Sequence, residues 1–389
     1  MGQVLQLTAF VLLQAVSALV CFASSGAERR CCPLPFAELQ RKAPPAPPKQ
    51  PETLRLAAQA GAVVAYVSLE ASSLQRPEVA KVAMYNKGKL AEERELHLAG
   101  RLAQVQEIPG AQGAVRVAVV GVATSPDGAL VGLQGVNRLL VFRGEELVLE
   151  LSGVLFAGES LALANDTLYI APWADGTRER VLLYGLALQP GAEKRPLLSM
   201  PEKVRETRHL LLAPRADGKL WAVEVFTGEA MLLSRQGEVL RRWPAAPQLR
   251  PQQQPEARPA LEATRAAALA DATQRPPQVE LAPVESRELV LSMVPFGDGV
   301  VAFAPGGAQG AAARLLVLEP TSGTWRCWEL AGQAPEVGAL WAGEGGVYLA
   351  GPEGSVFLPE ALLAVHHPEG SEKQQDASGP CATLLEASQ

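Results

Sequence analysis

The chain has 389 residues, 48% of them hydrophobic, and a formal net charge of −6, so its length and apolar content are enough for a large buried core. Its Lys and Arg are dispersed among Glu and form no basic cluster, which argues against a phosphate-backbone footprint and so against a nucleic-acid partner. Only 5% of residues are aromatic while 35 are Gly and 31 are Pro, a balance that suits many short strands and turns better than long helices.

Residues 1–27 read as a hydrophobic leader. Val4 to Phe22 is an apolar run broken by Gln6, Thr8, Gln14 and Ser17, and Ser25 and Ala27 after it fill small-residue cleavage positions. No Lys or Arg precedes the run, Arg29 and Arg30 follow it, and it is just long enough to span a bilayer, so a signal peptide and an uncleaved anchor both stay open. Cys21 follows Val20, which is larger than lipoprotein processing wants. Either fate places the body outside the cytoplasm, as a periplasmic, secreted or N-terminally anchored protein that meets the membrane through this segment alone.

Residues 28–53 follow as a spacer, with KAPPAPPKQP from Lys42 to Pro51 favouring extended polyproline II. The adjacent Cys31 and Cys32 cannot easily bond each other. One reading joins them to Cys327 and Cys381, tying the N-terminal segment and the tail to the body; free thiols are the other.

From Ala60 to Leu363 a unit recurs about six times: a Gly-centred turn, a β-rich run, a second Gly turn and another β-rich run. Asn86-Lys87-Gly88 makes the hairpin of the first unit. Asp127-Gly128, Asn165-Asp166, Asp217-Gly218, Asp298-Gly299 and Gly345-Gly346 open the next five. Gly supplies positive φ in such turns and Asp or Asn can bond its own backbone, so Asp127, Asp217 and Asp298 read as shapers of hairpins and not as ligands. The stretch LAEERELHLAGRLAQVQ has helix-like composition and takes no clear place in the series. An insertion, residues 244–285, is rich in Pro, Gln, Ala and Arg and reads as a flexible loop in which LEATRAAALADA could form one short helix. Residues 366–389 read as a polar disordered tail.

This rhythm resembles the six-bladed β-propeller families, the NHL-like group in particular. Asn137-Arg138 before LLVF, Arg180 before VLLY and Arg314 before LLVLEP match the middle of that pattern. The resemblance implies an all-β fold over residues 54–365: a single propeller of about six four-stranded blades, with the N-terminal strand completing the last blade. A seventh blade would require strands near Leu98.

Propeller enzymes resembling lactonases hold a divalent metal, Ca or similar, with several converging oxygens in the central channel. Glu70, Asn165, Asp166, Asp175 and Glu224 are the candidates for such a set here. His97, His209, His366 and His367 are scattered, match no zinc spacing and read as surface or incidental residues. Ser160 in AGESLAL lacks the second glycine of a nucleophile elbow, and no GxGxxG follows a strand, so no catalytic residue and no cofactor is expected. Trp173, Trp221, Trp243, Trp325, Trp328 and Trp341 read as packing between blades. The resulting expectation is a non-catalytic scaffold that binds another protein at the cell envelope; the alternative is an extracytoplasmic lactonase-like hydrolase with a channel metal.

Overall fold

The computed structural model describes residues 31–35, 46, 53–70, 77–102, 121–135, 138–152, 160–174, 180–189, 191–201, 207–247, 249, 289–305, 312–331, 339–351 and 354–363. The leader, most of the insertion, the tail, Asp175, His366, His367 and Cys381 lie outside these residues. Among the described residues no helix is long and apolar enough to cross a membrane.

Six antiparallel sheets form the blades of a propeller. Blade one holds β2 (Thr53–Ala60), β3 (Val63–Glu70), β4 (Val79–Asn86) and β5 (Lys89–His97). Blade two holds β6 (Gly121–Thr124), β7 (Leu130–Gln134), β8 (Arg138–Arg143) and β9 (Glu146–Ser152). Blade three holds β10 (Ser160–Ala164), β11 (Thr167–Ala171), β12 (Val181–Ala187) and β13 (Arg195–Ser199). Blade four holds β14 (Leu210–Pro214), β15 (Leu220–Glu224), β16 (Ala230–Leu233) and β17 (Val239–Trp243). Blade five holds β18 (Ser292–Phe296), β19 (Gly299–Ala304), β20 (Arg314–Glu319) and β21 (Thr324–Ala331). Blade six has β22 (Ala339–Gly343), β23 (Gly346–Gly351) and β24 (Gly354–Pro359), followed by one helical turn, α1 (Glu360–Leu363).

Within each blade the strands follow chain order, and the first strands of successive blades lie against one another at the centre. The hairpin turns between first and second strands therefore share one end of the ring, the turn face. The connections between second and third strands, and those between blades, share the opposite end, the loop face.

The apolar runs are continuous because a blade is buried on both sides. In TLYIA, Leu168 and Ile170 pack in the cluster shared with blade two, while Tyr169 and Ala171 pack in the one shared with blade four. Alternate residues of one strand thus serve different neighbours. Five apolar clusters fill the junctions from blades one and two through blades five and six.

The closing junction, where Tyr66 of blade one and Tyr348 of blade six are buried, also carries a polar clasp. Gln59 on β2 accepts a hydrogen bond from Ala342 N–H of β22 at 2.7 Å, and its amide donates to the Ala342 carbonyl at 2.9 Å. The same amide donates to Gly61 O at 2.9 Å. One side chain reproduces a pair of ladder bonds between the last blade and the first.

Four expectations are corrected. The N-terminal strand, β1 (Cys32–Pro35), does not complete the last blade: it runs parallel to β21 on the outer edge of blade five, inside the stretch read as spacer. Its attachment is covalent, through a Cys31–Cys327 disulfide. KLAEERELH is the outer strand β5 and not a helix, its charges facing solvent on an edge while Arg94 and Leu96 turn inward. Third, the insertion begins later than residue 244, since Ala246 and Leu249 are buried in the cluster between blades four and five. Finally, Gly299 has no positive φ: the left-handed residue of that turn is Gly297, and Gly299 is required because a Cβ there would lie 2.0 Å from the Leu318 carbonyl.

Candidate functional site

The turn face gathers several of the predicted residues. Asp127 accepts from the Ser125 hydroxyl at 2.5 Å and from Ala129 N–H at 3.0 Å, while Leu130 N–H bonds the Ser125 hydroxyl at 2.9 Å. Gly128 closes this turn at φ 74°. Asn165 and Asp166 both take positive φ, 49° and 56°, in a two-residue hairpin. Asp217 accepts from Lys219 N–H at 3.1 Å ahead of Gly218 at φ 79°. Partial burial pushes the Asp127 carboxyl up, but the bonds from Ser125 and Ala129 outweigh it and hold the group below the usual carboxylate range. Asp217 is likewise held low against burial, by Lys219 and Arg215.

These turns are stitched to one another across the blades. Arg94 of blade one donates to Gly128 O of blade two at 2.9 Å, and Arg143 of blade two pairs with Asp166 of blade three at 2.5 Å. Asn165 of blade three donates to Gly218 O of blade four at 2.9 Å, and Arg215 of blade four donates to Asp298 O of blade five at 2.8 Å. Between the turns of blades two, three and four lies a cavity of about 190 Å³ lined by Ser125, Asp127, Arg143, Asn165, Asp166 and Arg215, among others. Its carboxylates and guanidiniums are committed to these pairs, so it presents mixed, locally neutralised polarity.

The metal candidates among the described residues do not converge, and Asp175 lies outside them. Asn165 and Asp166 sit on the turn face of blade three, Glu70 is exposed at the loop-face end of β3, and Glu224 is buried at the loop-face end of β15. Glu224 accepts from Arg208 at 3.0 Å, His209 N–H at 3.3 Å and Thr227 N–H at 2.6 Å. Among the described residues no three His, Cys, Asp or Glu side chains are placed to hold one ion.

Beside Glu224 the loop face carries a feature with no local sequence signature. Trp173 is 38% exposed, the one large aromatic left so open among the described residues. Its indole stacks on the His209 imidazole, with centroids 4.4 Å apart and planes 2° from parallel, and Phe226 meets it edge-on at 5.7 Å. His209 is buried, which corrects its reading as a surface residue, and its Nδ1 lies 3.4 Å from the Pro172 carbonyl. A carbonyl only accepts, so Nδ1 carries the proton of a neutral ring. Burial pushes the His209 pKa down, with the Pro172 contact opposing it, and this favours the neutral ring. Backbone bonds between Ala174 and Arg208, at 2.7 and 2.9 Å, lock the segment carrying Trp173 to the one carrying His209. The result is a rigid aromatic platform at the blade three–four junction. Trp221, Trp243, Trp325 and Trp328 are buried as packing residues; Trp173 is not.

No family model matches the chain, and no curated protein matches it. Among solved structures it is similar to a member of the DUF4221 family from Bacteroides vulgatus, at 11% identity over 82% of this chain and 98% of that one, with a TM-score of 0.46. It is also similar to Hsv2 from Kluyveromyces lactis, at 9% identity over 76% of this chain and 90% of that one, with a TM-score of 0.36.

Proposed function

We propose that this propeller is a recognition module of NHL-like type, exported or held at the membrane through its N-terminal hydrophobic segment. It binds another protein of the cell envelope through the loop face of blades three and four. The observation that carries this reading is Trp173, an exposed indole immobilised by the buried His209 and by Phe226. Trp is enriched at binding hot spots, because a large rigid ring loses little conformational freedom when a partner covers it. The Cys31–Cys327 bridge supports export, since disulfides persist in oxidising compartments.

The test compares wild type with Trp173→Ala in quantitative affinity capture from native envelope extracts. Binding of the captured partner is then measured directly with purified components. A partner that docks here should bind the variant about 30-fold more weakly, the effect of losing roughly 2 kcal/mol at a hot spot. Equal binding by the two proteins would remove Trp173 from the interface and the loop-face reading with it.

A further inference from the structure

We propose that the Cys31–Cys327 disulfide is a redox latch on the N-terminal strand, so that reduction releases β1 from blade five while the propeller stays folded. β1 reads Cys-Pro-Leu-Pro. Pro33 and Pro35 have no N–H, so at most Cys32 and Leu34 can donate to the ladder with β21. A four-residue parallel pairing to which β1 contributes at most two donors is a weak attachment. No hairpin returns the strand to its place either: in the folded propeller β1 is joined to β2 through the chain from Pro35 to Thr53, and closing that loop has an entropic cost that the disulfide removes.

Blade five does not need β1 in return. β21 pairs with β20 through six residue pairs from Arg314↔Glu329 to Glu319↔Thr324, and Trp328 and Leu330 are buried in the cluster shared with blade six. The disulfide therefore holds a strand that adds little to the sheet carrying it.

The exchange chemistry has a defined entry. Cys31 is half-buried and Cys327 is buried, so the sulfur open to attack is that of Cys31. A thiolate of a dithiol reductant bonds to Cys31 Sγ, the S–S bond breaks, and Cys327 Sγ leaves with the electron pair and takes up a proton. The second thiolate of the reductant then displaces Cys31 Sγ, which is protonated in turn. The reductant departs as its own disulfide, with two electrons and two protons passed to the protein.

On the reading that the leader anchors the protein, this latch sets the reach of the tether. Oxidised, the chain is fixed to the body at Cys31; the next described strand begins at Thr53, so release of β1 can lengthen the tether by up to roughly 70 Å at full extension. The latch itself is tested apart from any anchor or partner, so its failure and that of the recognition reading are distinguishable.

Hydrogen exchange of the oxidised full-length protein is compared with the same protein in dithiothreitol and with Cys31→Ser. Amides of Cys32, Leu34 and those of β21 that face β1 should exchange at least tenfold faster in both cases, with β7, β11 and β15 unchanged. Unchanged β21 exchange in both arms would overturn the latch, because β1 would then hold by its own pairing. Loss of protection in every blade would overturn it as well, because the bond would then hold the whole fold. So would the absence, from the oxidised protein, of a reducible peptide pair joining Cys31 to Cys327.

Discussion

Replacing Gln59 by Leu should loosen the seam that closes the ring. Blades six and one are linked by the two bonds between Gln59 and the Ala342 backbone, which a third bond to Gly61 O holds in place, and Tyr66 and Tyr348 are buried on the sides of these blades that turn away from blades two and five. At about 1 kcal/mol for each lost bond, and with water able to reach this half-buried site, the loss comes to about 2–3 kcal/mol. Urea unfolding followed by tryptophan fluorescence should show a lower midpoint at an unchanged slope. Gln59→Glu sharpens the test. At pH 7 its carboxylate still accepts from Ala342 N–H but faces two carbonyls it cannot donate to, so its pKa is raised by folding. The deficit relative to wild type should shrink as pH falls toward about 4, where the protonated acid regains a donor. A Leu variant within 0.5 kcal/mol of wild type, or a Glu variant with no pH rescue, would refute the clasp; both thresholds lie within the reach of such measurements.

Two further outcomes follow from the same geometry. Gly299→Ala drives a Cβ onto the Leu318 carbonyl and should cost about 3 kcal/mol, whereas Gly144→Ala, at φ 59° with no atom within 4 Å, pays for the left-handed backbone alone, about 1–2 kcal/mol; equal losses in urea midpoints would contradict the distinction. His209 is held neutral by burial, so below about pH 6.5 the unfolded chain binds a proton that the folded one does not, and stability should fall as pH drops through that value toward the lower folded pKa. His209→Phe keeps a ring under Trp173 and should flatten that limb; identical pH slopes in the two proteins would exclude His209 as its source.

What the sequence disclosed follows how local each interaction is. Asp127-Gly128, Asn165-Asp166 and Asp217-Gly218 were legible because a tight turn is decided by its own few residues: Asp127 and Asp217 accept from the N–H two positions on, and Asn165 and Asp166 themselves take positive φ. Reading units from their turns nevertheless set the phase one strand late, since the innermost strand of each blade precedes its first turn. KLAEERELH misled because its propensities are helical while its place is an outer edge, where pairing with β4 overrides propensity. β1 carried no period and found its partner at the far end of the chain. Trp173 and Trp221 look alike in sequence, each in or beside an apolar run; that one is open on a loop and the other fully buried is decided by neighbouring blades. Gln59 had no sequence signal at all.

The two faces divide the work of the propeller. On the turn face the charges that looked most like ligands are spent on assembly: Asp127 on its own turn, Asp166 on Arg143, Asp217 on Lys219 and Arg215, Asp298 on Arg215. A ligand that recruited any of them would have to replace a contact that fixes one blade to the next or closes a hairpin. The loop face is built the other way round. There the charged pair Arg208–Glu224 lies largely beneath the surface and fixes the backbone of His209 and Thr227, while what reaches solvent is the indole of Trp173. An exposed aromatic stacked on a buried ring offers apolar surface to a partner while the Arg208–Glu224 pair beneath stays in place. That contrast is why the proposed recognition is assigned to the loop face, while the acidic turns hold the ring together.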